Sequence, residues 1–167
     1  MPIYSFEPIV DKNCKVLVLG TMPGAMSLKK QQYYGYDQNA LWRIMYGLFG
    51  RQPDGEYELR KAFLLEHHIA LWDVLMACER EGSSDSDIKE PVPNDFAALY
   101  ENYPNLGVVC FNGGPAERLY RRFVEKPGDL RYGPKAYFSL PSTSPAYTIG
   151  FEKKFEQWKL LLQLLRQ

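Results

Sequence analysis

A glycine-containing loop that follows an apolar run is the first stretch of this chain with residues suited to chemistry. Residues 16–19 read Val-Leu-Val-Leu, as in a strand buried on both faces, and the loop after them is Gly20-Thr21-Met22-Pro23-Gly24. Its glycines leave the backbone bare, so a phosphate or a flat ring could approach closely. A turn of this composition also occurs without any ligand, and the loop alone does not separate the two interpretations.

Aromatic and amide side chains come next along the chain. Tyr33, Tyr34 and Tyr36 crowd into one segment, and Asn39 precedes apolar residues that are spaced as one face of a helix over residues 41–49. Asn39 is therefore expected at or near a helix N-terminus. There its side chain could cap the helix or present its amide to a ligand held by the loop.

A carboxylate interrupts the second apolar run. Asp73 is the only charged residue within residues 69–75, and burying an unpaired carboxylate is costly. Either backbone N–H groups satisfy it, or it faces a pocket at the carboxyl end of a strand. The sequence leaves both interpretations open.

The predicted elements alternate between strands and helices. Further strands are expected at residues 107–111 and 135–140, which end in Asn112 and in the segment Pro141-Ser142-Thr143-Ser144-Pro145. This order predicts a three-layer α/β/α fold with a central, mostly parallel four-stranded sheet. Ligands of such sheets bind at the carboxyl ends of the strands, so the loop 20–24, Asp73, Asn112 and residues 142–145 should meet at one edge.

Two short motifs in this order resemble those of a known family. Gly20-Thr21-Met22-Pro23-Gly24, Tyr33-Tyr34, and Asn39 with Trp42 three residues later resemble the first motif region of the uracil-DNA glycosylase superfamily, and residues 141–145 resemble its second motif loop. The hypoxanthine-DNA (deoxyinosine) glycosylases are the most similar branch, followed by the mismatch-specific uracil glycosylases. The resemblance implies a cofactor-free enzyme of base-excision repair that hydrolyses the N-glycosidic bond of a deaminated base in DNA. Hypoxanthine is the first expectation, and uracil and xanthine are the alternatives.

The resemblance also implies roles for individual residues. A glycosylase flips its target base into a pocket, stacks it on a ring and reads its edge. Tyr34 is expected to stack on the base, with Tyr33 and Tyr36 as alternatives, while Asp73 accepts from the ring N–H and the amide of Asn112 or a backbone N–H serves the carbonyl. The base-binding set is Gly20, Thr21, Met22, Tyr34, Asp73 and Asn112, and the DNA-binding set is Pro23, Gly24, Pro141, Ser142, Thr143 and Ser144.

One residue departs from the family pattern. Several branches carry a polar residue at the third position of the first motif to position the attacking water, but here that position is Met22. The resemblance implies that Asn39 positions the attacking water instead, because it resembles the asparagine to which this role is assigned in the hypoxanthine branch. The departure also keeps open a rival class, a non-catalytic DNA- or nucleotide-binding module. Tyr147 is the residue expected to reach into the DNA helix.

Composition limits the remaining possibilities. The 167 residues fit a single domain over 1–167, and the formal net charge of zero argues against non-specific coating of nucleic acid. Three widely spaced cysteines support neither a disulfide framework, a zinc site nor an iron–sulfur cluster, so neither a metal nor a cofactor is expected. Without a signal peptide or an apolar span, the protein is expected in the cytoplasm, with no membrane and no obligate protein partner.

Overall fold

The centre of the molecule is a parallel sheet. A computed structural model describes residues 1–126, 131–133 and 135–167. Strands β2 (Val16–Gly20), β3 (Ile69–Asp73), β6 (Val108–Asn112) and β7 (Ala136–Leu140) form a four-stranded sheet in the order β3-β2-β6-β7, and every neighbouring pair is parallel. The predicted four-stranded sheet is confirmed.

Helices cover both faces of this sheet. The chain steps from β2 to β3 in one direction and from β6 to β7 in the other, and right-handed crossovers therefore place the connecting helices on opposite faces. Helices α1 (Ala25–Lys30), α2 (Leu41–Leu48) and α3 (Tyr57–Glu66) belong to the first connection, and α5 (Gly114–Phe123) forms the second. The crossovers diverge between β2 and β6, and ligands of doubly wound sheets bind at such a point.

A second sheet was not predicted. Strand β4 (Leu75–Glu79) begins one residue after β3 and pairs antiparallel with β1 (Ile3–Tyr4) and with β5 (Lys89–Pro93), in the order β1-β4-β5. The predicted run 69–75 thus spans the end of one sheet and the start of another. Between β4 and β5 the chain turns over through residues 80–88, which we call the hairpin loop, and this loop lies beside the first motif loop, residues 20–24.

The remaining helices lie between β3 and β6 and after β7. Helix α4 (Phe96–Asn102) precedes β6, and β7 is followed by two helices, α6 (Phe151–Trp158) and α7 (Leu160–Leu165), which meet at Lys159. Trp158, Leu161 and Leu164 lie three residues apart and are buried in the main core. Within the described residues, no helix has the length and apolar character needed to cross a membrane.

Candidate active site

A large cleft opens at the carboxyl ends of the parallel strands. Its volume is about 1190 Å³. Every site residue that the sequence predicts lines it: Gly20, Thr21, Met22, Pro23, Gly24, Tyr34, Asn39, Asp73, Asn112, Pro141, Ser142, Thr143 and Ser144. The convergence that the strand order predicts is therefore present in the fold.

The floor of the cleft is formed where Gly20, Asp73 and Tyr34 meet. Gly20 ends β2 opposite Asp73 at the end of β3. A Cβ on Gly20 would lie 2.6 Å from Asp73 Oδ1 and 2.8 Å from Tyr34 Oη, both closer than real Cβ contacts. Glycine is required here because the carboxyl and the phenol occupy the space that a side chain would take.

The three tyrosines of the aromatic segment have different environments. Tyr33 is buried, and its hydroxyl donates to the backbone carbonyls of Phe6 and Glu7 at 3.3 and 2.9 Å. Tyr36 is 49% exposed at the rim of the cleft. Tyr34 is half-buried inside the cleft, and its φ of 53° is a left-handed conformation that is uncommon outside glycine.

Both N–H groups of the Asn112 side-chain amide, and its carbonyl oxygen, are hydrogen-bonded within the protein. Its Nδ2 donates to Tyr34 Oη at 3.1 Å and to Thr143 Oγ1 at 2.9 Å, and its Oδ1 accepts from the backbone N–H of Thr143 at 2.9 Å. Asn112 is also only 9% exposed. In this arrangement it joins the aromatic segment to the second motif loop, residues 141–145, and has no N–H left for a ligand.

Asn39 lies two residues before α2. The helix begins at Leu41 with Ala40 at the N-cap, and Asn39 Oδ1 accepts from the backbone N–H of Leu41 at 2.9 Å. The expectation that Asn39 stands near a helix N-terminus is confirmed, and its oxygen satisfies a backbone donor of the first turn. Its Nδ2 donates to no described residue and lines the cleft, so the side chain can hold the helix end and still offer a donor.

The second motif loop is fixed by backbone contacts with its surroundings. Ala40 N donates to Thr143 O at 3.0 Å, Trp158 Nε1 to Pro141 O at 2.9 Å, and Lys154 Nζ to Ser144 O at 2.8 Å. The hydroxyls of Ser142 and Ser144 accept from backbone N–H groups within the loop, which leaves each O–H able to donate outward. The loop therefore holds these two O–H donors in fixed positions.

Lys154 contributes a buried positive charge beneath this loop. The residue is 4% exposed, and burial lowers the pKa of Lys154, with the nearby charge of Arg43 lowering it further. No described carboxylate forms an ion pair with it.

The hairpin loop forms a wall of the cleft that sequence reasoning missed. Ser83, Ser84, Asp85 and Ser86 line the cleft, and Ser83 Oγ accepts from Ala25 N at 2.9 Å. Arg80 donates through Nη2 to Pro23 O at 2.5 Å and through Nε to Gly82 O at 2.9 Å. The loop is a serine- and aspartate-rich segment, which in sequence is indistinguishable from a solvated turn.

Two carboxyl groups thus face one cleft. Asp73 is 4% exposed, and its Oδ2 is buried without a hydrogen-bond partner among the described residues. Burial and the negative charge of Asp85 raise the pKa of Asp73 to about 7, against the opposing effect of Arg80. Desolvation also raises the pKa of Asp85, while Arg80, a hydrogen bond from Thr21 and Arg118 oppose that rise.

Comparison with protein families identifies the class. Residues 7–166 match the family described as the uracil DNA glycosylase superfamily. The chain belongs to this superfamily, and the resemblance inferred from its two motifs is confirmed.

Individual relatives agree with the family. A protein from Methanosarcina acetivorans, named hypoxanthine DNA glycosylase, is 36% identical over 162 residues, which are 95% of this chain and 96% of the relative. A protein of the same name from Methanosarcina barkeri is 40% identical over 109 residues, 65% of this chain and 69% of the relative. The fold also matches a solution NMR structure, that of a Methanosarcina acetivorans protein proposed to be a uracil DNA glycosylase. The TM-score is 0.83, the sequence identity is 34%, and the match covers 100% of both chains.

Proposed function

We propose that this protein is a cytoplasmic, hypoxanthine-excising DNA glycosylase of base-excision repair. The prediction of a DNA glycosylase, a hydrolase that acts on N-glycosyl bonds, is confirmed by the family and by the names of two relatives. The preference for hypoxanthine is supported by those same names. The observation that carries the proposal is that Tyr34, Asp73 and the unclaimed Nδ2 of Asn39 face one cleft.

Each of these groups has one task in the reaction. The target nucleotide flips into the cleft, Tyr34 stacks on the base, and Asp73 reads its edge. Asn39 Nδ2 donates to the water that attacks C1′ of the sugar. The bond from C1′ to the base breaks with its electron pair on the base, and the water delivers its hydroxyl to C1′ and its proton to the departing base.

Electrostatic stabilisation contributes most to the rate in this mechanism. An amide is too weak a base to deprotonate water, so Asn39 orients the water rather than activating it. The sugar gains positive character as the bond breaks, and the base gains negative character, so fixed donors and dipoles around the cleft stabilise the transition state. Asn112 acts through other residues, because its amide holds Tyr34 and Thr143 in place.

The DNA backbone is held by the second motif loop. The hydroxyls of Ser142 and Ser144 donate to phosphates, and the buried Lys154 adds positive charge from below. Met26, Tyr36 and Tyr147 are exposed on the rim, and Tyr147 is the side chain that we expect to press between bases.

The test is single-turnover cleavage of a duplex that carries one deoxyinosine, revealed by alkaline cleavage of the abasic strand. We expect Asn39→Ala to slow cleavage by at least about a hundredfold, the range for loss of a positioned catalytic group. Its fold should persist, because losing the hydrogen bond that Leu41 N–H donates to Asn39 Oδ1 costs about 1 kcal/mol. The exposed Asn13→Ala serves as the matched control and should cleave normally.

Assays on further substrates decide between hypoxanthine and the other bases, and between an enzyme and a binding module. Duplexes with uracil or xanthine in place of hypoxanthine rank the three bases directly. Faster cleavage of uracil than of hypoxanthine would show a mismatch-specific uracil glycosylase instead. Tight binding of the inosine duplex with no cleavage by the wild type would show a binding module.

A further inference from the structure

A base with a lactam edge needs both a donor and an acceptor from the protein. Hypoxanthine presents N1–H beside the C6 carbonyl, so its reader must accept from the first and donate to the second. The amide of Asn112 does not supply the donor, because both of its N–H bonds are taken by Tyr34 Oη and Thr143 Oγ1. Of the two polar side chains at the floor of the cleft, Tyr34 stacks on the base in the proposed function, so Asp73 is the one left to read the edge.

An ionised Asp73 would read only half of this edge. A carboxylate accepts and cannot donate, so one of its oxygens would face the carbonyl oxygen of the base without a proton between them. The leaving base also gains negative charge as the glycosidic bond breaks, and a neighbouring carboxylate would oppose that change. A neutral carboxylic acid removes both difficulties, since its O–H donates and its other oxygen accepts.

The surroundings of Asp73 favour the neutral form. Its carboxyl is buried, Oδ2 has no partner among the described residues, and no described Lys or Arg forms an ion pair with it. The tyrosines Tyr33, Tyr34 and Tyr57 that face it are neutral near physiological pH, because burial raises the pKa of each above its ordinary value of 10.0. No described residue in direct contact compensates a negative charge at this position.

Charged groups farther away come from the hairpin loop and α5. Asp85 lies on the wall of the same cleft, exposed to solvent, and its partly screened negative charge disfavours a second one at Asp73. Arg80 has the opposite effect: its Nε and Nη2 are engaged with the carbonyls of Gly82 and Pro23, while its Nη1 is buried without a partner among the described residues. Arg118 acts on Asp85 rather than on Asp73.

We infer that Asp73 reads the base as a neutral carboxylic acid, with its O–H donating to the C6 carbonyl and its other oxygen accepting from N1–H, and that Asp85 is the positioning residue that keeps the proton on it. This inference rests on the proposed function and specifies its base reader. It makes Asp73 equivalent in hydrogen bonding to an asparagine amide. It also gives the hairpin loop a role in base recognition.

The sign of the pH dependence follows directly. With the pKa of Asp73 raised to about 7, the acid form predominates below that pH and is lost above it. The cleavage rate should therefore fall by about tenfold for each further unit of pH above 7, because protonated Asp73, the form that reads the base, becomes scarce. A carboxylate reader predicts the opposite, a rate that rises through the same interval.

The test compares single-turnover pH profiles on the inosine duplex, from pH 5.5 to 8.5, for the wild type and three variants. Asp73→Asn should cleave within about tenfold of the wild type at low pH and lack the decline, because an amide donates and accepts at every pH. Asp85→Asn should shift the midpoint of the decline to lower pH. Asp87→Asn is the matched control, since Asp87 lies in the same turn outside the cleft lining, and its profile should equal that of the wild type.

The outcomes separate this inference from the function on which it rests. If the cleavage rate of Asp73→Asn on the same substrate falls with pH as that of the wild type does, the inference is overturned. A wild-type cleavage rate that rises with pH would also overturn the inference. If Asp73→Asn fails to fold, the shifted midpoint in Asp85→Asn alone supports the inference, and an unshifted one overturns it. A wild type that never cleaves inosine at any pH would overturn the proposed function, and the inference with it.

Discussion

Replacing Asp73 by asparagine should change how the stability of the protein depends on pH. A carboxyl whose folded pKa lies above its unfolded value holds its proton more tightly in the folded state. Between the ordinary value of 3.8 and the folded value of about 7, the folded protein therefore binds more protons than the unfolded chain. The contribution of Asp73 to stability therefore falls as pH rises through that window and is constant above it.

The magnitude follows from the two pKa values. At 1.36 kcal/mol for each unit of pKa, the rise from 3.8 to about 7 corresponds to about 4 kcal/mol. Relaxation of the protein and entry of water reduce this figure, and we expect between about 2 and 4 kcal/mol. Asp73→Asn has no ionisable group at this position, so it loses no free energy of unfolding from this source between the two pKa values.

Urea denaturation of both proteins at a series of pH values measures the effect. The free energy of unfolding of Asp73→Asn minus that of the wild type should grow from pH 4 to pH 7 and then stay constant. Taking the difference cancels every carboxyl that the two proteins share, and Asp87→Asn should show no such growth. A difference that is flat across the whole range, or that shrinks as pH rises, would refute a proton held on Asp73 in the folded state.

Three further predictions concern the DNA-binding edge of the cleft and its floor. Binding of duplex DNA should weaken as salt rises, with log K falling by about 0.9 per phosphate neutralised for each unit of log salt, and salt-independent binding would favour a small-molecule pocket. Lys154→Met should lower the affinity for duplex by roughly tenfold to a hundredfold, because it removes a charged hydrogen bond to Ser144, whereas the exposed Lys153→Met should lower it little. Gly20→Ala should abolish cleavage, since its Cβ would displace Asp73 and Tyr34, and normal rates in this variant would contradict the floor described above.

The parallel sheet could be predicted because its strands carry their signal locally. Residues 16–19 and 108–111 are apolar and are followed by glycine-containing loops, and the polar residues after each strand then fall on one edge by topology alone. That is why the predicted site residues all line the cleft. The roles of individual residues within the cleft could not be predicted from the sequence, because only the hydrogen bonds show that both N–H groups of the Asn112 amide are used within the protein.

The second sheet could not be predicted, for identifiable reasons. Strand β4 begins after a single residue, Val74, so no turn signal separates it from β3. Strand β5 contains Pro91 and Pro93, which argue against a strand away from a sheet edge, and β5 is an edge strand. The recognition role that we assign to Asp85 depends on this sheet, because pairing of β4 with β5 brings the hairpin loop to the cleft.

The bonds from Asn112 to Tyr34 and Thr143 have a consequence for how this site can diverge. Tyr34 and Thr143, from separate parts of the chain, share the amide of Asn112, so exchanging any one of the three residues leaves a buried polar partner unsatisfied. Such positions are inherited as a set, and a lineage that replaces Asn112 should also replace the tyrosine hydroxyl or the threonine. In an alignment of the branch, we expect these three columns to vary together, even where the neighbouring surface residues drift independently.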